Sequence, residues 1–266
     1  MKNKTLAIVG CGKLAQIVAD ALTSGLLPDY QLIGTYSRTF DKAEAIAQHV
    51  NQSNPGYTCT PVRTMEDLLA MKADYIVEMA SPAALRDFAL DALQNGSSIV
   101  TLSIGALADA QFYEKIRTTA RENNTRVHLA SGSIGGFDVM RTISLMGDSS
   151  ASFRTEKGPD SLKDTSVYNE SLQTEQRTVM EGNAAEAIEL FPTKVNVAVA
   201  ASLATTGPKN IDVAITSIPG FVGDTHRIHV ENDQAHARIE VYGKTSDIAG
   251  WSVVNTLRNI TAPIVF

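Results

Sequence analysis

The chain has 266 residues, 44% of them hydrophobic and 20% charged, an ordinary balance for a globular protein with a sizeable core. A formal net charge of −6 argues against nucleic acid as a partner; no run nears the roughly 18 apolar residues of a membrane span. The start MKNKTLAIVG lacks a signal-peptide pattern, and Cys11 and Cys59 stand in unrelated contexts, so a cytoplasmic protein without disulfides or a thiolate metal site is expected.

Residues 4–9 (KTLAIV) are predicted as a strand, and 13–26 as a helix from the spacing of Leu14, Ile17, Val18 and Leu22. A strand at 30–36, a helix at 41–52, a strand at 74–78, a helix at 83–95 and a strand at 98–103 continue the alternation. This α/β rhythm predicts a Rossmann-type doubly wound parallel sheet. Near residue 126 the rhythm changes. RVHLAS predicts a strand, and SGSIGGFDVMRTI opens a helix. The polar stretch 151–182, with SVYN and RTVME, suits antiparallel strands. Helical signals follow over 183–206, broken at Pro192, then strands at 211–218 and 226–242 and a helix at 247–259. The expected layout is a dinucleotide-binding domain over 1–125 and an α+β substrate and catalytic domain over 126–246, with the helix of 247–266 returning to the first.

The first turn carries G-x-G-x-x-A at Gly10, Gly12 and Ala15. Gly10 permits the tight turn, Gly12 lets the backbone approach a pyrophosphate, and Lys13 and Leu14 open a helix whose N-terminus faces the phosphates. The bland alternative is a tight strand–helix turn with no ligand. An NAD site usually places an acid at the end of the second strand, about 20 residues on. Here Ser37 and Arg38 stand there instead. A hydroxyl and a guanidinium suit a 2′-phosphate better than a free 2′-hydroxyl, so NADP is favoured over NAD, with dual use open. A solvent-facing loop arginine is the competing explanation.

Several stretches, in order, resemble the L-aspartate dehydrogenase family: GCGKLA (10–15), VEMASPAAL (77–85), SIGALAD (103–109), SGSIGGFDVM (131–140), LFPTKVNVAVAASLA (190–204) and HRIH (226–229). The resemblance covers nearly the whole chain. It implies a Rossmann domain followed by an α+β domain, and NAD(P)-dependent oxidation of L-aspartate to iminoaspartate. That product hydrolyses to oxaloacetate and ammonia or feeds NAD biosynthesis. The resemblance further implies that Ser133 and Asn196 contact the nicotinamide end of the cofactor. Glu78, Ala80 and Ser81 would lie beside it at the end of a strand, and the catalytic histidine falls within HRIH. Two departures stand out: the segment after residue 242 is shortened to YGKTSDIAG, and the second strand lacks the acid that many relatives carry.

In HRIHVEN, strand alternation puts His226, Ile228 and Val230 on one face and Arg227, His229 and Glu231 on the other. His226 on the apolar side is expected to be structural. His229 on the polar side is expected to face substrate and act in proton transfer. Substrate carboxylates need cations, for which Arg154, Lys194, Arg227 and Lys244 are the candidates, although a solvated surface charge is the favoured reading of each taken alone. No carboxylates or thiolates cluster with the histidines, so no metal is expected. A homodimer formed through the open sheet of the second domain is the expected assembly. Two alternatives stay open: an oxidoreductase acting on another small amino or keto acid, and a non-catalytic dinucleotide sensor.

Overall fold

The computed structural model describes residues 3–192 and 195–265. Its elements fall into two compact units, the first made of Met1–Ala130 with Ala249–Phe266, the second of Ser131–Ile248.

In the first unit, β1 (Lys4–Val9), α1 (Lys13–Thr23), β2 (Tyr30–Tyr36) and α2 (Phe40–Gln52) alternate as their periodicity predicts. They are followed by β3 (Thr60–Val62), α3 (Met65–Ala70), β4 (Tyr75–Glu78), α4 (Pro82–Gln94), β5 (Ser98–Thr101), α5 (Ala110–Glu122) and β6 (Val127–Leu129). All six strands are parallel, in the order β3-β2-β1-β4-β5-β6. The order reverses beside β1, and open α/β sheets hold their ligands at such a switch, outside the carboxyl ends of the strands. Leu6 and Ile8 of β1, Val77 of β4 and Val100 of β5 are fully buried, as are Ala15 and Val18 of α1. Strands covered on both faces read as continuous apolar runs, which is why they were visible in the sequence. Three elements carry weaker signals. β3 has only three residues, one of them buried, α3 only six, and α5 buries Ile116 alone. Because β6 pairs with β5, the first unit runs to Ala130, five residues past the expected boundary.

The second unit comprises α6 (Phe137–Leu145), β7 (Ser150–Lys157), β8 (Arg177–Asn183), α7 (Ala184–Leu190), α8 (Asn196–Ala204), β9 (Asp212–Ser217), β10 (Asp224–Glu231) and β11 (His236–Gly243). The sheet order is β11-β10-β7-β9-β8. The sheet is mixed: β7 runs antiparallel to β10 but parallel to β9, where the sequence suggested antiparallel strands throughout 151–182. The stretch SVYN is no strand, since it lies between short 3-10 turns at Pro159–Leu162 and Glu170–Gln173. A capping box, Asn183 with Glu186, starts α7 sharply at the end of β8 by satisfying two terminal amides. Helices α6 and α8 cover one face of the sheet, against β10, β11 and β7.

The last helix, α9 (Asp247–Thr261), packs on the first unit. Its Gly250 lies so close to Ile17 of α1 that a Cβ there would come within 2.7 Å of that side chain. The hydroxyl of Tyr30 donates to the Leu257 carbonyl at 2.7 Å. No helix among the described residues is long and apolar enough to cross a membrane.

Candidate functional site

The carboxyl ends of β1, β2 and β4 border a cleft of about 310 Å³ that includes Gly10, Gly12, Ser37, Arg38, Lys42 and Ala80. Gly10 adopts φ +91° and donates its amide to the Tyr36 carbonyl at 2.9 Å. A Cβ on Gly10 would sit 2.7 Å from both the amide nitrogen and the Cβ of Ala80, so conformation and crowding both demand glycine. At Gly12, the N-cap of α1, a Cβ would meet no atom within 4 Å, which leaves its backbone open to a close ligand. Lys13 and Leu14 form the first turn of that helix, and its N-terminal dipole favours an anion.

The Ala80–Ser81 loop that presses on Gly10 is held from beneath by Glu78. This carboxylate is fully buried and accepts from the amides of Ala80 (2.7 Å) and Ser81 (3.0 Å), from Ser103 Oγ (2.8 Å) and from Thr101 Oγ1. Burial raises its pKa against the opposing pull of these donors, Thr101 first. The sequence placed Glu78 beside a cofactor; its side chain points inward and positions the loop. The hydroxyl of Ser81 is likewise engaged, capping α4 at the Ala84 amide. Ser37 and Arg38 form the turn after β2, Arg38 exposed and without an ion partner among the described residues. Lys42, in the first turn of α2, adds a second cation that no motif singled out. Only its helical phase relative to the β2 turn could have revealed it.

In the second unit, alternation along β10 holds. His226 retains 2% exposure, whereas the His229 side chain retains 31%. The two rings occupy opposite faces of the sheet and opposite chemical settings. His226 stacks on Phe153, ring centroids 5.6 Å apart, and its Nε2 lies 3.0 Å from Ser133 Oγ. Burial, opposed by Asp224 and reinforced by Lys157, pushes its pKa down to about 4, so the ring is neutral at pH 7. Ser133 belongs to the 131–136 loop, whose Gly132 (φ +64°) lies against Val197 of α8. Asn196 is the first residue of that helix. Ser133, the start of α8 and His226 thus gather on the helix-covered face.

His229 is on the other, open face, 3.5 Å from the Glu231 carboxylate and edge-on to His236. Arg227 is held there between Glu156 and Glu240, and Arg154 pairs with Asp212. Those two cations are committed to ion pairs on the open face, as the surface-charge reading of each would have it. Lys244 is exposed after β11; Lys194 lies outside the described residues. Placing the catalytic histidine at His229 conflicts with placing the nicotinamide contacts at Ser133 and Asn196, because a strand separates the two faces. The apolar-side position, set aside as structural, is the one that Ser133 touches. Among the described residues no three His, Cys, Asp or Glu side chains gather as a metal site would.

Comparison with known proteins gives concordant matches for both units. Residues 10–130 match the family described as homoserine dehydrogenase, NAD binding domain, and residues 138–260 match aspartate dehydrogenase, C-terminal. An L-aspartate dehydrogenase of Methanococcus maripaludis (strain C6) is 30% identical over 270 residues, covering 97% of each chain. One from Methanosarcina mazei is 31% identical over 271 residues, with 97% of each covered. The aspartate dehydrogenase structure from Thermotoga maritima superposes with a TM-score of 0.76 at 25% identity, covering 99% of each chain. A myo-inositol 2-dehydrogenase from Lactobacillus plantarum, 11% identical with a TM-score of 0.58, shares the fold alone.

Proposed function

The chain belongs to the L-aspartate dehydrogenase family, and from that premise we propose that it oxidises L-aspartate to iminoaspartate with a nicotinamide cofactor, NADP ahead of NAD. The observation that carries the cofactor half is Gly10, whose left-handed backbone and contact with Ala80 leave a bare peptide edge at the mouth of the cleft. The NADP preference is supported by Arg38 and Lys42 beside that cleft, where an acid would have favoured the free ribose.

When bound, the nicotinamide supplies the acceptor for the hydride leaving the substrate Cα. The chain's own residues manage the proton and the charges. As the amine becomes an imine it releases a proton, for which His226, neutral at pH 7, is the acceptor at Nε2. Ser133 Oγ lies 3.0 Å from Nε2 and fixes the ring plane. In the tautomer with the ring proton on Nδ1, Nε2 is the basic atom, and the amine proton reaches it once the serine hydroxyl turns away or relays its own proton. Phe153 stacked on the ring keeps water from that side. Oxaloacetate and ammonia follow by hydrolysis of the imine. His229 enters this reading as an open-face residue, and that face, with its rows of opposed charges, suits contact with a second copy of the chain in a homodimer.

The test is an assay of purified protein for reduced-cofactor formation with L-aspartate against a panel of other amino and hydroxy acids, using NAD and NADP in turn. L-Aspartate should be the preferred substrate. Cofactor binding with no substrate-dependent reduction would instead support a dinucleotide sensor.

A further inference from the structure

At one end of the second unit's sheet, on the helix-covered face, polar residues fall into two rows across three neighbouring strands. His226 of β10 stands opposite Thr155 of β7, and Asp224 stands opposite Lys157, which in turn pairs with Ser217 of β9. Neighbouring strands lie about 4.8 Å apart and same-face residues about 6.8 Å apart along a strand, so the rows form one small patch. Thr155, Lys157, Ser217 and His226 are all more than nine-tenths buried. Three polar atoms there lack any hydrogen-bond partner: Thr155 Oγ1, Ser217 Oγ and His226 Nδ1. Buried side-chain polar atoms are rarely left unsatisfied in native proteins, and three together on one patch call for an occupant.

The patch also holds a buried cation. Among the described residues Lys157 is the sole buried lysine or arginine, and its Nζ lies 3.5 Å from Asp224 Oδ1. A charge-assisted hydrogen bond usually closes to about 2.8 Å, so Asp224 restrains the ammonium without consuming its three donors. Two hydroxyls, an ammonium and an imidazole on one face make a donor set for a planar anion.

We propose that Lys157, Thr155 and Ser217 form the recognition site for a carboxylate of the substrate, a small dicarboxylic amino acid, with Asp224 positioning the Lys157 ammonium. The assignment rests on the proposed oxidation of L-aspartate. It puts the carboxylate beside His226, the group that handles the amine proton. It also supplies a cation on the face of His226, whereas Arg154 and Arg227 are held in ion pairs on the opposite face.

The experiment uses the full chain with saturating NADP and follows both kinetics and thermal stabilisation by succinate, a dicarboxylate that cannot react. Lys157→Met should raise the KM for L-aspartate by about 10–100-fold, the usual worth of a hydrogen bond to a charged group. It should abolish stabilisation by succinate while changing the Kd for NADPH less than about 3-fold, since the cofactor's phosphates are held in the other unit. Lys157→Arg should recover part of the loss. Thr155→Val and Ser217→Ala guard against misfolding, because each removes an unpartnered hydroxyl. They should leave the melting temperature of the ligand-free protein equal or higher, yet raise KM by about 5–10-fold. A merely structural role predicts the opposite pattern, lower stability with KM unchanged, and that result overturns the assignment. An inactive wild type that succinate still stabilises through Lys157 would refute aspartate oxidation and keep the anion site. A wild type active on aspartate, with all three variants unchanged in KM, would refute the site alone.

Discussion

The two faces of the second sheet are built from the same strands, yet they treat charge in opposite ways. On the open face Arg154 and Arg227 meet Asp212, Glu156 and Glu240, each guanidinium answered by a carboxylate within reach of water, while His229 lies 3.5 Å from Glu231 with its Nε2 buried and without a hydrogen bond. Such pairs contribute little, because solvent already screens them. On the covered face one lysine, one histidine and two hydroxyls are buried with fewer partners than they have hydrogen-bonding atoms. Leaving polar groups in that condition costs stability and is tolerated where function needs them. The face that looks electrostatically rich is therefore expected to be chemically idle, and the sparse one active.

The largest expected effect tests that contrast directly. His226→Ala should lower turnover by roughly 10²–10⁴-fold, the range for a positioned acid–base group, while His229→Ala changes it less than about 3-fold. Steady-state rates on the two purified variants decide the matter. Loss on His229→Ala with an active His226→Ala would return the role to the open face.

Next in size is a pH effect on stability. The His226 pKa is lowered from 6.5 to about 4 on folding, chiefly by burial. Its stabilising contribution is thus complete above pH 6.5 and is lost as the pH falls from 6.5 towards 4, where the unfolded chain binds a proton that the folded protein refuses. The full loss is about 3 kcal/mol, from a shift of about 2.5 units at 1.36 kcal/mol per unit. Denaturant melts across that window should show a shallower decline for His226→Gln than for the wild type. Parallel curves would mean that the buried ring titrates normally.

The contrast between units comes third. Replacing Arg38 with Ala should weaken NADP use by about 1–3 kcal/mol and leave NAD use nearly unmoved. Equal losses in kcat/KM with both cofactors would show that Arg38 does not read the 2′-phosphate. The smallest effect belongs to the open face again. Arg227→Ala should cost no more than about 1 kcal/mol of monomer stability, as exposed pairs do. Sedimentation of the same variant would reveal whether the face joins two copies, since dissociation would then accompany it.

The first unit was largely legible in the sequence because local signals suffice there. A glycine turn between an apolar strand and an amphipathic helix is confined to residues 4–26, and the structure keeps it intact. The second unit depended on pairings between strands far apart in sequence. Nothing local in residues 150–157 says that β7 runs parallel to β9 and antiparallel to β10. Alternation separated His226 from His229, but which of the two lies beside Ser133 follows only from where the 131–136 loop lands. Lys157 illustrates a signal present and unread. In SASFRTEK it keeps phase with Ala151, Phe153 and Thr155, all buried, so the alternation itself placed a lysine on the inner face. Lysine's strong preference for water hid that phase.

The return of α9 to the first unit has a consequence for how the protein is made. The first unit is not a continuous piece of chain: it is interrupted after Ala130 and completed only by residues from Ala249 onward. Tyr30 and Ile17 cannot receive Leu257 and Gly250 until the ribosome has translated everything between. Domains usually form as units in the order they emerge. Here the inserted unit must gather while its host still lacks a helix, and docking of that helix then closes the insert as a loop. Since the entropic cost of closure grows only with the logarithm of loop length, a long insert with its own sheet is a light burden.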